Sequence, residues 1–133
     1  MRFIFSCLFT LVVFNSYAQE QREFEMKEGD TTFVMKRYYM CFLYKGENRT
    51  HDSTETAKIQ AAHLARINEL ASQDLIHLAG PFGHNGDLRG ILIYDVGTEE
   101  EAKKLAESDP AVKAGRLRYE VFPWWGAKGT TLH

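Results

Sequence analysis

Two stretches of the chain, Tyr38–Tyr44 (YYMCFLY) and Gly90–Val96 (GILIYDV), are apolar on both of their alternating sets of positions. A β-strand sends successive side chains to opposite sides of its sheet, so a strand apolar on both sets needs cover on both sides. These two runs therefore predict the central strands of a sheet with no wet face at its middle. The covering material must come from elsewhere in the chain or from another molecule.

The remaining elements are spaced around these two. The first strand is predicted over Phe33–Tyr44, and it is followed by the polar loop KGENRTHD and a helix over Ser53–Gln73. Asp52 and Glu55 make a capping box at the start of that helix. Leu75–Ala79 reads as a second strand ended by Gly80-Pro81, and the glycine-rich loop GPFGHNGDLRG opens the third. Thr98 and Glu101 form a second capping box for a helix over about Glu99–Ser108, stopped by Asp109-Pro110. The stretch AVKAG makes a short turn. Leu117, Tyr119 and Val121 then alternate with Arg116, Arg118 and Glu120, the pattern of a strand with one wet face. Pro123, Trp124 and Trp125 close the ordered part, and residues 127–133 read as a loose C-terminal tail.

Strand, helix, strand, strand, helix, strand is the order of a ferredoxin-like βαββαβ protomer, an α+β fold with an antiparallel sheet and both helices on one face. The helices cover one side of the central strands, and no helix remains for the other. The expected cover is the sheet of a second copy, giving a homodimer through the sheet faces.

The first helix carries the residue that most needs explaining. At roughly 100° per residue, Ile59, His63, Ile67 and Leu70 share one side, with Lys58, Arg66, Glu69 and Ser72 on the other. His63 thus sits inside the apolar stripe. A buried imidazole needs hydrogen-bond partners, and a histidine exchanges protons near neutrality. Taking the two central strands as parallel, both helices start at the same edge of the sheet, and His63 and Asp109 lie about 14 and 16 Å along them. Neighbouring helices are roughly 8 to 10 Å apart, so the aspartate reaches the histidine and orients it as a base. The plainer readings are a hydrogen-bonded core histidine and an ordinary helix-ending Asp-Pro.

The first eighteen residues have another purpose. Met1 and Arg2 precede a twelve-residue apolar run, then small residues at Ser16 and Ala18 ahead of a cut before Gln19. That run is too short to span a bilayer, so residues 1–18 are expected to be a signal peptide, and the protein to be exported, periplasmic or secreted, with no membrane attachment after cleavage. Loss of Arg2 and Cys7 leaves 15 basic against 18 acidic residues and the single thiol Cys41. One thiol cannot make an intramolecular disulfide, and Cys41 in its apolar run reads as a small buried residue. The weakly acidic balance, with no basic cluster, argues against nucleic acid as a partner. Residues 19–32 form a charged lead-in, with a strand pairing across Glu28-Gly29-Asp30 as one option. About 115 residues make a single domain, here 33–126.

Several of these residues fall in a familiar pattern. His63 in AAHLARINEL, LAGPF at Leu78–Phe82, GDLRGILIYDV, SDPAVKAG at Ser108–Gly115 and Phe122-Pro123-Trp124 together resemble the YCII-related (YciI-like) family over about Lys36 to Gly126. The resemblance implies a dimeric α+β barrel of ferredoxin-like protomers. It also implies a catalytic His–Asp pair at His63 and Asp109, in a pocket between helices and sheet. One member of that family is a dehydrochlorinase acting on a chlorinated hydroxyquinol, and the fold is similar to that of muconolactone isomerases. A signal peptide departs from that pattern and sets this chain apart from cytoplasmic aromatic degradation.

Around the pair, Thr56 and Gln60 on the same helix, Gly80 and Pro81 at the strand end, and Arg89 are candidate ligand-binding residues. A guanidinium at Arg89 matches a carboxylate bidentately, although a plain surface arginine is the favoured reading, since arginine is mostly exposed. His51, His77 and His84 match no metal motif, and the glycine-rich loop precedes a strand rather than a phosphate-binding helix, so neither metal nor cofactor is expected. The functional expectation is a cofactor-free lyase or isomerase moving a proton on a small aromatic or lactone-like ligand. A non-catalytic binding module and a cofactor-free oxygenase are the alternatives.

Overall fold

The computed structural model describes residues 21–132; the expected signal peptide lies outside them. The chain runs β1 (Glu23–Glu28), β2 (Thr31–Lys45), α1 (Ser53–Ser72), β3 (Ile76–Pro81), β4 (Leu88–Tyr94), α2 (Glu99–Glu107), α3 (Pro110–Lys113) and β5 (Leu117–Ala127). β5, β2, β4 and β3 lie side by side in that order, every neighbouring pair antiparallel. This is the ferredoxin-like arrangement, α+β with an open antiparallel sheet. None of the described helices is long and apolar enough to cross a membrane.

The charged lead-in supplies the extra strand. β1 folds back on β2 as a hairpin through Glu28 and Thr31. Lys36 pairs with both Glu23 and Gly126, so β1 and β5 flank opposite edges of β2. Tyr39 pairs with both Tyr94 and Pro123, which leaves β1 and β4 sharing one edge end to end.

One expectation is corrected here. The two central strands, β2 and β4, are antiparallel, not parallel. α1 and α2 therefore begin at opposite ends of the sheet. Equal distances along the two helices therefore do not by themselves bring His63 and Asp109 level; their approach depends on where each helix is seated on the sheet.

Both capping boxes form: Asp52 accepts from the Glu55 amide and Thr98 from that of Glu101, with each glutamate reaching back to its cap. Aspartate and threonine at these positions satisfy amides that the helix itself leaves unpaired. AVKAG is not a simple turn. Pro110, with its preset φ, starts the single helical turn α3, and Asp109 caps it by accepting from the Ala111 amide. β5 continues through the aromatic pair to Ala127, and the Lys128 amide still bonds the Val34 carbonyl at 2.8 Å.

The core lies between the helices and one face of the sheet. Tyr39, Cys41 and Leu43 from β2, Leu92 and Tyr94 from β4 and Val121 from β5 meet Leu70, Ala102 and Ala106 from the helices. The two alanines are fully buried, and their small side chains let α2 approach the strands closely. On the far face, Tyr38, Met40, Phe42, Ile91 and Ile93 are only half-covered, while Phe122 and Trp124 are 49% and 40% exposed. The alternation of β2 is thus satisfied on one side by this chain alone.

Candidate active site

His63 and Asp109 meet at the seam between α1 and the α2–α3 junction. His63 Nδ1 lies 2.6 Å from Asp109 Oδ2, and the two residues are 8% and 3% exposed. A carboxylate only accepts, so Nδ1 carries the proton and donates it, leaving the lone pair on Nε2. Among the described residues nothing hydrogen-bonds Nε2, and the imidazole keeps 11% of its surface open. The other carboxylate oxygen, Oδ1, accepts from the Ala111 amide at 2.8 Å. Asp109 is therefore held from two sides and cannot swing away from the ring.

The surroundings stiffen this arrangement. Arg66, placed by periodicity on the outer side of α1, is half-buried and turns inward, its Nε donating to Ser108 Oγ at 3.1 Å. Its Nη1 donates to Glu69 Oε2. The long arginine stem lets the residue leave its nominal face, a reach that angular spacing does not capture. Ser108 in turn donates to the Leu105 carbonyl, so α1 is bolted to the residue preceding Asp109.

Nearby lie two buried groups that sequence reasoning left outside the site. Cys41 and Tyr94 adjoin in the core, and a hydrogen bond between them enters the titration of both. Burial pushes the Cys41 thiol up to about 12, the Asp109 charge adds to this, and the bond with Tyr94 opposes it. Burial likewise raises the Tyr94 phenol, with Cys41 and Asp109 acting in the same direction. Both stay protonated at neutral pH, presenting a neutral, apolar wall near the dyad. Their alternation in β2 and β4 marked them as core, and only the fold shows that this part of the core adjoins Asp109.

The other candidates are more dispersed. Thr56 is half-buried two turns before His63, and Gln60 is exposed one turn before it. Gly80 and Pro81 end β3, paired with Ile91 and Gly90. Arg89 Nη1 reaches the carbonyls of His84 and Gly86 at 3.4 Å each, within its own loop. Among the described residues no hydrogen bond or ion pair joins Gly80, Pro81 or Arg89 to the dyad. No cluster of three or more His, Cys, Asp or Glu side chains is placed to hold a metal ion among the described residues.

A single open antiparallel sheet, helices on one face and a buried histidine–aspartate pair at the helix seam define a small α+β protein. The chain belongs to the YCII-related domain family, whose model matches residues 37–125. Among solved structures, it is similar to the 5-chloro-2-hydroxyhydroquinone dehydrochlorinase of Burkholderia phenoliruptrix AC1100, in complex with 2,5-dihydroxybenzoquinone. The two share 26% sequence identity over 64% of this chain and 92% of that chain, with a TM-score of 0.47. No curated protein sequence matches this chain.

Proposed function

We propose that the protein is a cofactor-free lyase or isomerase in which His63 is the general base and Asp109 its orienting partner. The observation that carries this reading is the 2.6 Å Nδ1–Oδ2 contact combined with an Nε2 that has no partner among the described residues. A base whose proton is fixed on one nitrogen presents its lone pair at the other without rotating. The substrate class is a small molecule with an acidic C–H next to a carbonyl, or a phenol in equilibrium with its keto form.

Nε2 takes the carbon-bound proton, and the electron pair moves to the carbonyl oxygen as an enolate. Asp109 offsets the positive charge that the imidazole gains. In an isomerisation the imidazolium returns the proton to a different carbon. In an elimination the enolate electrons expel the leaving group, and the imidazolium gives up its proton to it or to solvent.

Two further parts belong to this reading. Export rests on the pattern of residues 1–18, and it puts the reaction in the periplasm or outside the cell. The working unit is a homodimer whose sheets pack face to face, because the far face carries a run of half-covered apolar side chains ending in the exposed Phe122 and Trp124, and soluble monomers rarely leave a contiguous apolar patch open. A binding module that holds its ligand without turnover is the second reading. It is favoured by the structural duty of Asp109, whose Oδ1 caps α3 whether or not chemistry occurs.

The test is a screen of small cyclic ketones, lactones and substituted phenols against the wild type and His63→Ala, with product detection. Turnover by the wild type that falls by at least about a thousandfold in His63→Ala, with native circular dichroism, supports the enzyme. A folded His63→Ala protein with full activity sinks it, and binding without product under every condition selects the binding module. Nitrogen NMR of His63 supplies an independent reading: the Nδ1–H tautomer is expected in the wild type, and Asp109→Asn removes that preference.

A further inference from the structure

Proton removal by His63 places negative charge on a substrate oxygen, in a seam that already holds the Asp109 carboxylate. An enolate forming there needs a hydrogen-bond donor, and fixed donors aimed at developing charge are usually the largest single contribution to such catalysis. The dyad supplies none. His63 Nδ1 is engaged by Asp109, and Nε2 is the atom that takes the proton.

Arg66 stands where a donor is required. It lies three residues after His63 on α1, and Cβ atoms at that spacing are about 5–6 Å apart. Across the seam the two side chains meet consecutive partners: His63 Nδ1 is 2.6 Å from Asp109 Oδ2, and Arg66 Nε donates to Ser108 Oγ at 3.1 Å. Consecutive Cα atoms are about 3.8 Å apart, so imidazole and guanidinium are neighbouring rungs of one ladder. Burial raises the Tyr94 phenol, the Asp109 charge adds to this and the Arg66 charge opposes it, so both charges bear on one buried side chain.

A guanidinium carries five N–H groups and stays charged at any working pH. Nε is engaged by Ser108, and Nη1 donates to Glu69 Oε2 at 2.7 Å. Among the described residues Nη2 has no hydrogen-bond partner, and the side chain keeps 25% of its surface open. Ser108 is itself fixed by donating to the Leu105 carbonyl, so the guanidinium is held from the side away from its free nitrogen.

We propose that Arg66 is a second catalytic residue of the His63 centre, its Nη2 donating to the substrate oxygen on which the enolate charge collects. This role rests on His63 being the base, and it narrows the substrate. The oxygen sits on the carbon next to the one that loses its proton, and an ionised oxygen is held in preference to a neutral one. Ready enolates and phenolates are therefore favoured over simple ketones. The C–H electron pair moves to that oxygen, the proton goes to Nε2, and Arg66 keeps all its own protons.

The probe is 4-nitrophenol, whose neutral and ionised forms differ in colour, bound to the wild type and to Arg66→Met, Arg66→Lys and Ser108→Ala. In the wild type the bound probe should ionise at least about one pH unit below the free one, a tenfold preference for the phenolate. Arg66→Met, which keeps an apolar stem and removes the donors, should abolish that preference, and Arg66→Lys should keep part of it. Ser108→Ala, which cuts the tie across the seam but spares the guanidinium, should keep most of it. The Arg66 guanidinium N–H resonances of the wild type should shift with the probe, a readout that needs no variant. Absence of binding at millimolar concentration, unmoved Arg66 resonances or full preference in Arg66→Met overturns the inference. A Ser108→Ala protein as impaired as Arg66→Met also overturns it, by reducing Arg66 to a strut between helices. Turnover and its dependence on His63 are measured separately in the substrate screen, so loss of the base and loss of this donor are told apart.

Discussion

Cys41 shows how one residue's position sets its chemistry. It is fully buried on β2, and its thiol is pushed up to about 12 by burial and by the nearby Asp109 charge. The thiolate is the reactive form, so Cys41 should resist a disulfide reagent at pH 8 in the native protein and react only as the chain unfolds. Fast labelling of native protein would mean that this part of the core opens. Tyr119 is similar in kind: burial and its bond to Glu107 push the phenol up to about 12. Its folded value lies above its unfolded one, so its contribution is complete below about pH 10 and is lost as pH rises from 10 toward 12. At His63, helical spacing was enough to place the ring in the apolar stripe, because position on a helix follows from sequence separation alone. The two-sided grip on Asp109 was not legible, since the cap to Ala111 depends on α3 forming after the proline.

At the scale of elements, Asp95 joins four pieces of chain. It sits just beyond β4 and accepts from Arg22 beside β1, Lys36 of β2 and His77 of β3. Burial alone would raise its carboxyl, but the hydrogen bonds from Lys36, His77 and Arg22 outweigh it and hold the group down at about 2. A depressed folded value means that Asp95 stabilises the fold at pH above its ordinary 3.8 and loses that contribution as pH falls from about 4 to about 2. Denaturant midpoints across that window should fall for the wild type and stay flatter for Asp95→Asn, with β1 amides losing hydrogen-exchange protection first. The loop after β2 has a different constraint. The Gly46 amide donates to the Arg116 carbonyl at 2.8 Å, and a side chain at 46 would collide with the Gly115 backbone. Gly115 itself has φ +70, a conformation that favours glycine. Gly46→Ala should therefore cost about 2–4 kcal/mol in denaturant unfolding, because the obstacle is backbone and cannot swing aside. Neither interaction was readable in advance, since each joins residues at least 18 positions apart.

For the whole molecule, the central question is what covers the far face of the sheet. Phe42 and Phe122 meet there at 6.0 Å, with Phe122 half-open to solvent. If two copies pack through this face, sedimentation equilibrium should give twice the chain mass, and Phe122→Arg should give a monomer by placing a charge in an apolar interface. A wild-type monomer at all concentrations would remove the dimer from the reading. The variant is also informative about chemistry. Activity that survives in a Phe122→Arg monomer would place the complete His63 centre within one chain.

The sequence by itself determined the element types, the ferredoxin-like order, both capping boxes and the inward histidine. These follow from periodicity and from hydrogen bonds spanning a few residues, which act before any distant contact exists. Only the tertiary structure decided that the central strands are antiparallel, that Arg66 turns inward onto Ser108, and that β1 extends the edge of β2 beside β4. Each of these depends on which distant segments become neighbours, and neighbours are chosen by the packing of whole surfaces rather than by local preference. The His63–Asp109 pair lies between the two cases. Helical spacing turned His63 inward, but the reading that brought Asp109 level with it rested on the wrong strand direction, and the fold supplied the 2.6 Å contact across 46 residues of chain.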